Sequence, residues 1–177
     1  VAVSDEAQPV TARAWRLAGR FYVPTDVDAQ HEAWGASCGP AALAALLACQ
    51  VADLRRLFPR PWTTPTDMRH ALSLCDVRWD STPRDLEGHW PEPHAMPTHG
   101  LAFIQWDGPW LKPGVPQRAA YLYTHWIAVD HGAVYDVNAN GWLPRLAWDT
   151  KLAPALAGDV ERGTGLWYVR AGLELVS

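Results

Sequence analysis

Lysine is almost missing from this chain. Only Lys112 and Lys151 occur, and 15 basic residues against 19 acidic ones leave a formal charge of −4. With no basic cluster, there is no electrostatic reason to expect a nucleic-acid partner. Cysteine is scarce too: the odd set Cys38, Cys49 and Cys75 makes no even disulfide framework. Cys38 and Cys49 fall on one helical stretch, where eleven steps of ~1.5 Å hold them ~16 Å apart, beyond bridging distance. The sequence leaves a Cys38–Cys75 bond open, although free thiols in a reducing compartment are the simpler reading. Long apolar runs are also lacking. No stretch reaches the ~18 to 20 residues of a membrane span, and the first residues do not follow the basic-then-apolar order of a secretory signal.

What the chain does have is apolar bulk of an unusual kind. Apolar residues make up 49% of its 177 positions, enough for one globular domain with a real core. That bulk includes 11 Trp but only 3 Phe and 2 Met, alongside 15 Pro. Tryptophan can line a cleft for an extended ligand. Filling a core poor in Phe and Ile is the plainer role and the favoured one.

Thr11–Leu17 predicts a short helix and Arg20–Pro24 a short strand, followed by a turn-rich approach to Cys38. Residues 38–50 are apolar on nearly every face, which predicts a central helix surrounded by protein. Ser37 is its expected cap, and Pro40 is tolerated in a first turn whose N–H groups have no helical partner. Val51–Phe58 predicts a second helix. Thr64-Pro65-Thr66-Asp67 reads as the start of a third, with Met68, Ala71, Leu72 and Cys75 on its buried side. Strands are expected at Val77–Asp80, Leu101–Trp106, Tyr121–Asp130, Ala133–Asn138 and Gly165–Arg170, with Leu173–Val176 a short last one. Helices first and antiparallel strands second is an α+β order, with a helical lobe over about 11–76 and a β-rich lobe over about 77–177 of one domain.

Cys38 stands where chemistry is favoured, at the first turn of the apolar helix after a Gly/Ser loop. The positive end of the helix macrodipole and the unpaired N–H groups there stabilise a thiolate, the nucleophilic form. His125, near the start of a strong β-run, supplies a base. If His131-Gly132 is a two-residue hairpin turn, Asp130 faces Ala133, and the register continues back to place Ile127 opposite Asp136 and His125 opposite Asn138. Asn138 is then best placed to fix the imidazole, with Asp136 the competitor on the same face.

Taken together, Cys38-Gly39-Pro40-Ala41-Ala42-Leu43, the Thr64–Cys75 helix, His125-Trp126-Ile127-Ala128-Val129 and the Val134–Gly141 hairpin resemble the papain-like cysteine peptidases. Within that superfamily the chain is most similar to the bacteriocin-processing (double-glycine) peptidase domains and their stand-alone relatives, over about residues 30–170. The resemblance implies a Cys-bearing central helix packed on an antiparallel sheet, with the site in the cleft between two lobes. It implies Cys38 as nucleophile, His125 as proton carrier, and Asn138 or Asp136 as the orienting residue. It further implies an oxyanion hole built from the Cys38 backbone N–H and an upstream Gln. The family Gln lies five or six residues before the Cys, where this chain has Glu32 and Ala33; Gln30 is the available glutamine, and His31 is another donor.

The expected activity is that of a thiol hydrolase cleaving an amide or peptide bond through a thioester, without metal or organic cofactor, on a peptide or protein substrate. One rival use of the same thioester is glutamine deamidation, transglutamination or cell-wall amide cleavage by a bacterial toxin or effector, which would bring an immunity or inhibitor protein as partner. The other is an inactive binding module. The expected location is the cytoplasm, or delivery without a classical signal peptide. Cys49 and Cys75 are expected to be packing. His89, His94 and His99 match no zinc-ligand spacing and read as loop residues. The Pro-rich segments 83–97 and 109–116 are long enough to wall a substrate groove.

Overall fold

The computed structural model describes residues 21–35, 38–84 and 93–176. The expected helix at 11–17, the Ser37 cap and His89 lie outside them, and most of the expected 20–24 strand, Phe21–Pro24, is not a strand.

Four helices come first: α1 (Val27–Trp34), α2 (Cys38–Leu47), α3 (Val51–Leu54, extended by a 3-10 turn to Leu57) and α4 (Pro65–Leu74). Six strands follow: β1 (Arg78–Ser81), β2 (His99–Trp106), β3 (Thr124–Asp130), β4 (Ala133–Asp136), β5 (Gly141–Pro144) and β6 (Trp167–Val176). They form one antiparallel sheet in the order β1-β6-β2-β3-β4-β5. The fold is α+β, as its sequence order implies.

Local chemistry explains the helix limits. At the start of α4, Asp67 N–H donates to Thr64 Oγ1 at 3.2 Å and Thr64 N–H to Asp67 Oδ2 at 3.0 Å, a reciprocal cap with Pro65 in the first turn. Helix α2 stops where Ala48 turns left-handed at φ 52°, and Cys49 N–H returns to Ala44 O at 3.1 Å. Every residue from Gly39 to Leu47 is buried. Each leucine enclosed there contributes roughly 1.5–3 kcal/mol of transfer free energy.

Helices cover both faces of the sheet. On one face α2, α3 and α4 pack against Leu101, Phe103, Trp126, Ala128, Tyr135 and Leu173. On the other, Trp110, Trp148, Ala153 and Ala157 close over Ala102, Ile104, Ile127, Val129 and Val134. The division into a helical half and a β half is therefore not strict, because residues 145–158 return as helix on the second face. Trp106, Trp110, Trp126 and Trp148 are all core residues, which bears out the plainer role for tryptophan, whereas Trp62 stays exposed. All three cysteines are free. Among the described residues, no single helix is long and apolar enough to cross a membrane.

Candidate active site

The hairpin joining β3 to β4 has the expected two-residue turn. His131 and Gly132 both take positive φ, 44° and 90°, as a turn matched to strand twist requires, and Asp130 pairs with Ala133. The ladder runs back only to Ala128–Tyr135. Beyond Asp136 the chain leaves the sheet in a 3-10 turn, Val137–Ala139, so the expected pairing of His125 with Asn138 does not form.

That early parting of two strands builds the site. Backbone groups at alternate positions along β3 point towards β4, so past Ala128 the next N–H on that side belongs to Trp126. Having no strand partner there, it donates to the Cys38 sulfur instead, as does the Gly39 N–H. Cys38 itself opens α2 and is partly exposed. Close packing brings it to the strand: a Cβ added at Gly39 would lie 2.7 Å from the Thr63 side chain, and Thr63 O accepts the Trp126 indole N–H at 2.8 Å.

His125 lies within hydrogen-bonding reach of the Cys38 thiol and is 8% exposed. Its Nε2 sits 3.0 Å from Asp136 Oδ1, a carboxylate with no solvent exposure. Facing an acceptor, Nε2 must carry the proton, which leaves Nδ1 for the sulfur. Asp136 Oδ1 also accepts Asn138 N–H at 2.8 Å and Asn138 Nδ2–H at 3.0 Å, and Oδ2 accepts the Trp148 indole N–H at 2.8 Å. The buried carboxylate is thus fully solvated by protein donors.

The orienting residue is therefore Asp136 and not Asn138, the one the extrapolated register favoured. Asn138 Nδ2 comes only to 3.5 Å of His125 Nε2, where donor faces donor. It supports the carboxylate and does not serve the imidazole.

Three linked shifts follow from this arrangement. Burial pushes the Cys38 thiol up, but its hydrogen bond to His125, the imidazolium charge and the two backbone N–H groups outweigh that and hold it below its ordinary value. Burial works against the charged imidazole of His125, yet Asp136 and Cys38 together raise it well above the usual histidine range. Asp136 is pushed up by burial and brought down further by His125, Trp148 and the Asn138 N–H, so it stays ionised. The combined effect favours a thiolate–imidazolium pair beside a carboxylate.

Trp148 is the residue sequence reasoning missed. It starts a five-residue π-helical turn, Trp148–Leu152, is fully buried, and aims its N–H at Asp136. One indole among 11 carries no signal of that role in the sequence. Gln105, also fully buried, tethers the entry to β3: its Nε2 donates to Tyr123 O at 3.2 Å while its Oε1 accepts from Arg170 at 2.7 Å.

Gln30 lies in the middle of α1, and among the described residues its side chain bonds to neither Cys38 nor His125. The backbone N–H groups of Gly39 and Trp126 are the polar main-chain groups beside the sulfur. A cavity of about 510 Å³ reaches Thr124, the residue before His125; apolar Trp62, Phe103, Tyr121 and Leu122 line it together with Thr63, Thr64 and the charged Arg118. Leu122 and Trp62 stand exposed at it, 77% and 61%. His94 is not near the site; its Nδ1 contacts Thr82 O at 2.8 Å.

Compared with protein-family models, curated proteins and solved structures, the chain matches none.

Proposed function

We propose that the protein is a papain-like thiol hydrolase that cleaves an amide bond through a thioester, with Cys38 as nucleophile, His125 as acid and base, and Asp136 as orienting carboxylate. One observation carries the reading: a thiol held below its ordinary pKa, an imidazole held above its own, and a fully buried carboxylate stand in one hydrogen-bonded line. Such a line has no structural necessity, because a buried ion pair is a weak source of stability. It does have the form of an activated nucleophile with its base and orienter.

The chemistry closes on these groups alone. The Cys38 thiolate attacks the carbonyl carbon, a C–S bond forms, and the oxygen takes the charge beside the first-turn N–H groups of α2. Imidazolium Nδ1 gives its proton to the departing nitrogen as the C–N bond breaks. A water then loses a proton to Nδ1, its oxygen adds to the thioester, and the C–S bond breaks to release acid and thiolate. The lowered thiol speaks against the inert binding module, which needs no reactive sulfur. The cavity beside Thr124, mostly apolar but with Arg118 in its wall, supports an acyl donor that carries an apolar group.

The test is trapping of the intermediate. Incubation with a peptide library and acid quenching should leave a mass adduct on Cys38 of wild-type protein and none on Cys38→Ala. Scission of the backbone supports a peptidase; a gain of ~1 Da at glutamine, with the backbone intact, moves the same thioester to deamidation. Failure of every acyl donor to label Cys38, with the protein folded, refutes the proposal.

A further inference from the structure

The far end of β3 carries a second cluster, five residues or ~17 Å along the strand from His125. His99 begins β2 directly opposite Asp130, and His131 follows in the turn. Both imidazoles direct Nδ1 at the same atom: Asp130 Oδ1 lies 2.9 Å from His99 and 2.7 Å from His131. Their rings stack with centroids 5.7 Å apart. Among the described residues, nothing donates to the other carboxylate oxygen of Asp130.

We propose that His99, Asp130 and His131 bind one divalent cation of the zinc class through two imidazole nitrogens and a carboxylate oxygen. All three donor atoms already lie within 4.8 Å of one another. Ligand atoms around tetrahedral zinc, at ~2.0–2.1 Å from the metal, are ~3.3 Å apart, so the present separations need only small side-chain rotations to open room for the ion. Two nitrogens and one oxygen suit Zn²⁺ or Co²⁺ over Mg²⁺ or Ca²⁺, which prefer oxygen-only sets. A fourth position is left for water.

The surroundings hold the ligands in place. Glu174 receives Thr98 N–H at 2.7 Å and His99 N–H at 3.0 Å, fixing the backbone beneath the first imidazole. His131 N–H donates to Thr98 O at 2.8 Å, which pins the turn to the same point. Neither the reacting groups nor the cavity beside them is involved, so the ion would act as a clasp on the β2–β3–β4 end of the sheet.

The chelator-stripped chain should be titrated with Co²⁺, then with Zn²⁺ in competition. One Co²⁺ per chain is expected, with visible d–d absorption and no thiolate-to-cobalt charge-transfer band, and binding should persist in Cys38→Ser. His131→Gly and Asp130→Asn should each weaken binding at least about tenfold, since even supporting residues of metal sites have effects of that size. Glycine suits the positive φ at position 131, so the turn survives its loss of imidazole. Zn²⁺ should also raise Tm of the wild type and not of His131→Gly. Absence of binding, or binding that shows the thiolate band and persists in His131→Gly, overturns the proposal. If Asp130→Asn does not fold, His131→Gly decides alone.

Discussion

Replacing Asp136 by Asn tests the site at its least exposed point. The carboxylate has no solvent exposure and accepts four hydrogen bonds, from His125, Trp148 and twice from Asn138. A hydrogen bond to a charged partner contributes ~1.5–3 kcal/mol, which at 1.36 kcal/mol per pKa unit is ~1–2 units. Without the negative charge, His125 falls from about 10. The Cys38 thiol, losing imidazolium charge beside it, climbs back towards its ordinary 9.0. The ion pair exists only between those two titrations, so its pH window narrows from both sides, and both limbs belong to the coupled pair. The assay is the rate of Cys38 alkylation by iodoacetamide against pH, read by peptide mass. The acid limb should move up by ~1–2 units, so at a pH below the wild-type limb the rate should fall ~10- to 100-fold. Asn offers one oxygen where the carboxylate offered two, so Tm will also drop. Measurements therefore belong well below the melt, with circular dichroism as control. Trp148→Phe keeps the carboxylate and the bulk and removes one donor; it should shift the same limb the same way by ~1 unit. A folded Asp136→Asn protein whose acid limb overlays the wild type would refute the reasoning.

Three further outcomes are expected. At neutral pH iodoacetamide should modify Cys38 at least ~100-fold faster than Cys75, whose thiol burial pushes up to about 11, and equal slow labelling of all thiols would contradict the site. Asp136 and Asp130 both sit below the ordinary carboxylate value of 3.8, so their stabilisation is complete above it and is lost as the pH falls through their lower folded values. A Tm series from pH 5 downwards should therefore decline, and Asp136→Asn should flatten that decline. Ala48→Gly should stabilise the fold by ~0.5–1 kcal/mol in urea melts, because the left-handed position closing α2 penalises a Cβ; a loss of stability would contradict the assignment of that turn.

The parts of this fold legible in the sequence are those set by contiguous residues. The all-apolar run after Cys38, the Thr64–Asp67 cap and the His131-Gly132 turn each contain their own instructions, and each forms as read. The parts decided by distant contacts were not legible. Helix α1 has weak patterning and is fixed through Asp26, which accepts the N–H groups of Val51 and Ala52 at 2.9 Å. Strand β5 is four residues long and exists by pairing with β4. The two late strand runs, Gly165–Arg170 and Leu173–Val176, merge into one because a bulge at Arg170 carries β6 past Gly172. Extending the hairpin register past Tyr135 misassigned the His125 partner, because Asp136 caps the Asn138 N–H and turns the chain out of the sheet. Trp148 reaches Asp136 from a helical turn on the opposite layer, which no local pattern encodes.

The hairpin between His125 and Asp136 acts as a ruler. Eleven positions separate imidazole from carboxylate, and side chains on a strand swap sides at every step. A slip of the β3–β4 register by one residue would turn the carboxylate to the α2 face and strand the imidazole without a counter-ion. Extra residues confined to the turn would leave both groups where they are, so the tip can lengthen while the two arms cannot shift against each other.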